Sequence, residues 1–262
     1  MIFSKKTAIF VAMKLIALRL YQFLVMAPLL AVITILAAVL TTAGSLLGAG
    51  RFWGYWPAHL WARAFCVLSL VKVTVRGREN ISPETSYVFV ANHQGAYDIF
   101  SIYGYLNHDF RWMMKKGLER IPLVGYSCKV SGHIYVDNST PSATRRTMAE
   151  AEKRLRDGMS VVVFPEGSRT RDGRMHRFHR GAYMLAMEFS LPVVPITIDG
   201  AYSVLTRGSW LPKPGHITLT IHKPIEPDSD GHRLDRLMAE SYAAIASAFP
   251  GESTVGANSF QN

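Results

Sequence analysis

The chain has 262 residues, 49% of them hydrophobic, which is enough for one sizeable core plus a membrane element and excludes a disordered chain. Lysine and arginine number 29 against 19 aspartate and glutamate; the net charge of +10 calls for an anionic partner such as nucleic acid, phospholipid or a phosphorylated substrate. The two cysteines, Cys66 and Cys128, lie in different segments without metal or CxxC spacing, so they read as buried free thiols rather than a disulfide framework.

The chain itself selects among the anionic partners. No residue between 20 and 50 is charged, and 23–40 is almost wholly apolar, long enough to enter or span a bilayer core of ~30 Å. Membrane surface is therefore favoured over nucleic acid, for which no motif is present. Lys5, Lys6, Lys14 and Arg19 precede the stretch as in a signal peptide, but it is too long for an h-region and lacks a cleavage site before a polar mature start. Basic residues also follow it, at Arg51, Arg63, Lys72, Arg76 and Arg78, so the charge bias selects no single orientation. A hairpin dipping into one leaflet with both ends cytoplasmic suits these charges better than a single span. Its bend falls in glycine-rich 44–54, and its second arm, 52–70, carries Trp53, Tyr55, Trp56 and Trp61, amphipathic aromatics expected at headgroup depth. Residues 1–70 are thus expected to form an N-terminal membrane helix or hairpin.

Period-two alternation from Val71 to Val75, broken at Arg76-Gly77, predicts a half-buried strand and the start of a soluble domain over 71–250. Short apolar runs predict further strands at 87–91, 134–136, 161–164, 193–198 and 216–222. Between them, 98–106, 142–156, 180–189 and 233–249 read as helices, the second with mixed charge along it and Gly158 as its stop. Strands separated by helices predict an α/β fold with a mixed, largely parallel sheet and helices on its faces. The small, polar residues 251–262 read as a disordered tail.

Two polar turns at strand ends carry the chemistry. In Asn92-His93-Gln94-Gly95-Ala96-Tyr97-Asp98 an imidazole and a carboxylate stand five positions apart, off a common face of an ideal helix. They meet if a strand ends, the chain turns at Gly95, and a helix opens near Tyr97. His93 is then a candidate general base and Asp98 its orienting acid. Some seventy residues on, Phe164-Pro165-Glu166-Gly167-Ser168-Arg169-Thr170 follows another apolar run. Arg169 offers a planar fork of donors suited to phosphate, Gly167 allows close approach of the main chain, and Glu166 either holds the arginine or contacts substrate. No G-x-S-x-G elbow occurs, which favours direct base-assisted attack over a covalent serine intermediate. His176 and His179, among Arg174, Arg177 and Arg180, read as a basic surface rather than a metal site, and no metal constellation is seen.

Together these stretches resemble the glycerolipid acyltransferase family that includes the lysophosphatidic acid acyltransferases, with motifs NHxxxxD and FPEGTRS. Lys115-Lys116-Gly117-Leu118-Glu119-Arg120-Ile121-Pro122-Leu123-Val124-Gly125 is similar to its second block and Leu191-Pro192-Val193-Val194-Pro195-Ile196 to its fourth, in the expected order. The resemblance implies an enzyme moving a fatty acyl group from acyl-CoA or acyl carrier protein, as co-substrate with no other cofactor, to the hydroxyl of lysophosphatidic acid. His93 and Asp98 would be catalytic; Glu166, Gly167, Arg169 and Lys116 would bind substrate, Lys116 lending the phosphate a second positive charge. The implied partners are a lysophospholipid acceptor, the acyl donor and membrane phospholipid, at a bacterial inner membrane with the active site on its cytoplasmic face. One departure bears on the acceptor: Asn138 stands where the family often has arginine, a charge that Arg145 or Arg146 could replace. Another lysolipid, including a lyso-aminolipid, is therefore the alternative acceptor, and a catalytically silent membrane adaptor the alternative class.

Overall fold

The computed structural model describes residues 5–137, 139–156, 158–227 and 234–249. A long apolar helix comes first: α1 (Lys5–Tyr21), a π turn (Gln22–Met26) and α2 (Ala27–Leu46). Pro28 lacks an N–H to give to the carbonyl four residues back, so the ladder widens in the turn just before it. Gly48, at φ 92°, ends the helix in the left-handed region, and α3 (Gly50–Trp53) and α4 (Trp56–Leu68) return alongside α2. The two arms run antiparallel: Tyr21 Oη donates to the Leu68 carbonyl (2.9 Å), Trp61 Nε1 to Thr34 Oγ1 (2.9 Å), and the Trp53 indole fills the space a Cβ on Gly44 would need.

Residues Ile9–Leu46 form the one helix among those described that is long and apolar enough to cross a membrane. At 1.5 Å per residue it measures about 57 Å, far more than a bilayer core of ~30 Å. The second arm differs from expectation. Tyr55 is buried and stacked on Tyr103, Trp53 and Trp61 are half-buried, and Trp56 alone of the four aromatics is exposed. The reason is that α4 lies between α2 and the catalytic domain, so its aromatics fill that seam instead of facing headgroups.

Seven strands follow: β1 (Val71–Arg76), β2 (Val88–Ala91), β3 (Phe110–Lys115), β4 (Ile134–Val136), β5 (Ser160–Val163), β6 (Val193–Asp199) and β7 (Gly215–Ile221). They make one sheet in the order β1-β7-β6-β2-β5-β3-β4, parallel at every pairing except β6–β7. Every residue of β2 is buried because helices cover both faces, the condition that makes a central parallel strand read as a continuous apolar run. Phe89 and Ala91 face one core with Ala62 and Cys66 of α4 and Ile102 of α5 (Tyr97–Tyr105). Val88 and Val90 face a second core beneath α7 (Pro141–Arg156), α8 (Gly181–Glu188) and α10 (Leu234–Ser247). Emptying the Phe89 site with alanine would cost about 3–5 kcal/mol. Two short helices, α6 (Val124–Val130) and α9 (Ala201–Val204), and two 3-10 turns, Arg78–Asn80 and Lys116–Arg120, complete the described elements.

A buried polar chain ties the hairpin bend to the sheet. The Trp112 N–H donates to His133 Nδ1 (3.1 Å), so the ring proton sits on Nε2 and goes to Tyr103 Oη (3.3 Å), whose own proton goes to the Gly54 carbonyl (3.1 Å). Burial, with Arg111 and Arg154 nearby, pulls the His133 pKa down to about 3. It is a neutral structural histidine.

Candidate active site

β2 is the switch point of the sheet, with β5, β3 and β4 on one side and β6, β7 and β1 on the other, and ligands of open α/β sheets bind at the carboxyl ends of strands there. Both polar turns meet at this edge. After β2 the chain turns through 92–96 and opens α5 at Tyr97. Gly95 is required at the turn, because a Cβ would stand 2.9 Å from the Leu205 carbonyl and 3.1 Å from that of Ala201. Asn92, fully buried, fixes the start: its amide donates to the Ile198 carbonyl (2.9 Å) and accepts from the Ile198 N–H (2.8 Å), clamping the turn to β6.

His93 Nδ1 and Asp98 Oδ2 are 2.8 Å apart. The same Oδ2 accepts the N–H groups of Gln94 (2.5 Å) and Gly95 (2.8 Å), so one carboxylate oxygen folds the turn and holds the imidazole. Asp98 is fully buried in the first turn of α5, where the positive end of the helix favours a carboxylate. With Nδ1–H given to Asp98, Nε2 keeps its lone pair and makes no hydrogen bond among the described residues. The ring lies flat on Phe164, centroids 4.0 Å apart and planes 8° off parallel, and Phe164 in turn stacks on Trp112. An imidazole stacked in this way on one face is fixed in plane as well as in tautomer.

The second turn is built around the first. Glu166 Oε1 accepts the His93 N–H (2.7 Å) and Oε2 the His176 N–H (2.9 Å), while the Thr170 N–H donates to the His93 carbonyl (2.9 Å). Gln94 Nε2 donates to the Gly173 carbonyl (2.9 Å), closing the contact further out. Gly167, at φ 70°, takes the left-handed conformation that lets its N–H return to the Phe164 carbonyl (3.0 Å). Arg169 is half-buried on this loop, and its carbonyl accepts from Arg207 (3.1 Å). Beyond it Met175 and Phe178 point into the core while Arg174, His176, Arg177, His179 and Arg180 are exposed, a basic rim beside the site.

His93, Asp98 and Glu166 therefore form one hydrogen-bonded group with Gly167 and Arg169 on the adjoining turn. The Glu166 carboxylate accepts main-chain N–H groups from both turns. Lys116 lies past the end of β3 at the same edge, and its ammonium pairs with Asp137 (2.7 Å), holding that carboxyl well below the usual carboxylate range. Asn138 lies outside the described residues, and Arg145 and Arg146 are exposed on α7. Sequence reasoning missed Asn92, Phe164 and Thr170 as parts of the site. For Asn92 a signal existed, an amide at the end of a buried strand beside the histidine.

A hydrogen-bonded histidine and carboxylate at the switch point of a largely parallel sheet, with an arginine on the facing turn, is an arrangement suited to an α/β enzyme of group transfer. The particular family follows from comparison. A family model described as Acyltransferase matches residues 72–199. Residues 72–199 belong to that acyltransferase family. The chain is 34% identical over 197 residues to a 1-acyl-sn-glycerol-3-phosphate acyltransferase of Chlamydomonas reinhardtii, covering 74% of this chain and 58% of that one. It is 30% identical over 168 residues to the enzyme of that name from Pseudomonas aeruginosa, covering 64% of each. The crystal structure of the 1-acyl-sn-glycerophosphate acyltransferase PlsC from Thermotoga maritima superimposes with a TM-score of 0.73 at 25% identity, over 89% of this chain and 94% of that one. The matched segments span little more than half the length of several curated relatives, 58% and 54% for the Chlamydomonas and Arabidopsis thaliana proteins.

Proposed function

We propose that this chain moves a fatty acyl group from an acyl thioester, acyl-CoA or acyl carrier protein, to the free hydroxyl of lysophosphatidic acid, giving phosphatidic acid and the free thiol. The observation that carries the reading is the His93–Asp98 pair at 2.8 Å with Nε2 left unpaired. His93 Nε2 takes the hydroxyl proton as the oxygen attacks the thioester carbonyl, and Asp98 stabilises the imidazolium. The tetrahedral intermediate collapses by expelling the thiolate, which recovers the proton from His93. No enzyme-bound acyl group is formed and no further cofactor is needed. Arg169 would grip the acceptor's phosphate with its fork of donors. Lys116 is a weaker candidate for that task, since its charge is already met by Asp137.

The names of the similar proteins support lysophosphatidic acid as acceptor. The apolar helix Ile9–Leu46 supports a membrane-bound enzyme; the membrane proposed is a bacterial inner membrane, with the site on its cytoplasmic face. Incubating purified protein with acyl-CoA and a panel of lysolipids, with products identified by mass spectrometry, tests the reading. Phosphatidic acid should dominate. Product only from lysolipids without a phosphomonoester, or none from any, would overturn it.

A further inference from the structure

Trp210 is 94% exposed, the most exposed of the large hydrophobic side chains in the described residues. It is not on a slack segment. Its loop, residues 205–214, is closed at the base by the Lys213 N–H to the Val204 carbonyl (2.8 Å) and at the tip by a turn from Thr206 to Ser209, main-chain 3.1 Å and hydroxyl to hydroxyl 2.8 Å. The loop is also fastened to the apolar helix, because buried Gln22 donates to the Pro212 carbonyl (2.7 Å) and accepts from Arg19 (2.7 Å). A fastened loop that holds an indole out to open space offers an amphipathic ring, apolar body and polar N–H, to a surface that is apolar on one side and wet on the other.

The place of attachment indicates the partner. Arg19 and Gln22 mark the boundary at which the uncharged stretch from residue 20 to 50 begins. In an inserted helix such a boundary lies at the headgroup layer. On its near side α1 is exposed at every residue from 9 to 17, so it stands free of the body. Around Trp210 the exposed charged groups of the loop are Arg207 and Lys213, with no acidic residue in 205–214. Tryptophan with flanking cations is the composition that settles at the polar–apolar interface of an anionic bilayer.

We infer that the 205–214 loop is an interfacial anchor, Trp210 seated where the headgroup layer meets the acyl chains and Arg207 and Lys213 on lipid phosphates. The inference rests on the proposal that the chain is membrane-bound. It adds a second attachment, next to the active site, to the one made by the helix. Arg207 also donates to the Arg169 carbonyl (3.1 Å), so the anchor and the turn that carries the acceptor arginine share a contact. A lysolipid entering from the surface would meet Arg169 beside this loop.

The test uses full-length protein, its Trp210→Phe and Trp210→Ala variants, and vesicles of phosphatidylethanolamine and phosphatidylglycerol, with and without brominated acyl chains. Subtracting the Trp210→Phe emission from the wild-type emission isolates the Trp210 signal, which should shift to the blue on vesicle binding and be quenched by bromine. With an acceptor embedded in vesicles, Trp210→Ala should lower kcat/KM about tenfold, the scale of one buried aromatic side chain. With a short-chain, water-soluble acceptor the two proteins should match. Wild type that floats with vesicles while its Trp210 signal stays unquenched would overturn the anchor and leave the inserted helix standing. Wild type that fails to float would overturn membrane attachment itself, and the anchor with it. Equal losses on both acceptors would show that Trp210 acts on the fold.

Discussion

Glu166→Gln separates two roles for this residue, positioning of the base and contact with substrate. The Glu166 carboxylate is 6% exposed and takes the His93 N–H at 2.7 Å and the His176 N–H at 2.9 Å. Glutamine keeps the shape but turns one acceptor into an NH2 group, which then faces an N–H donor. One charge-assisted bond is lost, worth about 1.5–3 kcal/mol, and a largely buried N–H is left unpaired at about 1–3 kcal/mol. Because the site relaxes, the combined loss should be about 3 kcal/mol, which lowers Tm by about 6–12 °C for a domain of this size. The catalytic effect follows from the same contact. His93 is held by its main chain as well as its ring, and displacing it by ~1 Å should reduce kcat about a hundredfold with little change in acceptor KM. Thermal unfolding and steady-state kinetics on one preparation measure both. A variant with unchanged Tm and kcat but a raised acceptor KM would refute this reasoning and place Glu166 on substrate.

Arg169→Ala should raise the apparent acceptor KM far more than that of the donor, by an amount equivalent to about 2–5 kcal/mol, with Arg169→Lys restoring part; equal losses on acceptors with and without a phosphomonoester would mark it as structural. Asp98→Asn can keep the geometry, since one oxygen receives all three hydrogen bonds, so the loss should come from the missing charge and reach about 10²–10³ in kcat, measured by initial rates. His133 is neutral in the fold with a pKa of about 3 against an ordinary 6.5, so unfolded chains bind the extra proton between these values. Its contribution to stability is therefore full above pH ~6.5 and declines by about 1.4 kcal/mol per unit as pH falls toward 3. Denaturant melts at stepped pH should show a shallower acid slope in His133→Gln.

The sequence made the inner strands β2, β5 and β6 legible because they are buried on both faces and appear as largely apolar runs. β3 was hidden by Arg111, which reads as polar but is 1% exposed, its Nη1 donating both to Asp109 (2.8 Å) and to the Phe110 carbonyl (2.9 Å). Strand order and the reversal of β7 depend on long-range pairing that no local pattern records. At the site, the His93–Asp98 pair was legible because both partners are side chains at a diagnostic spacing. The partners of Glu166 and Asn92 were not, because they are main-chain groups brought close by the fold. Lys116 shows the converse: its position matched a motif, yet the charge it was expected to offer faces Asp137.

The central claim is that His93 is the general base. Turnover of acyl-CoA and lysophosphatidic acid by His93→Ala, in a preparation with wild-type circular dichroism and unchanged membrane association, tests it most directly. Turnover should fall to near background, while a folded variant with near-normal turnover would contradict the mechanism.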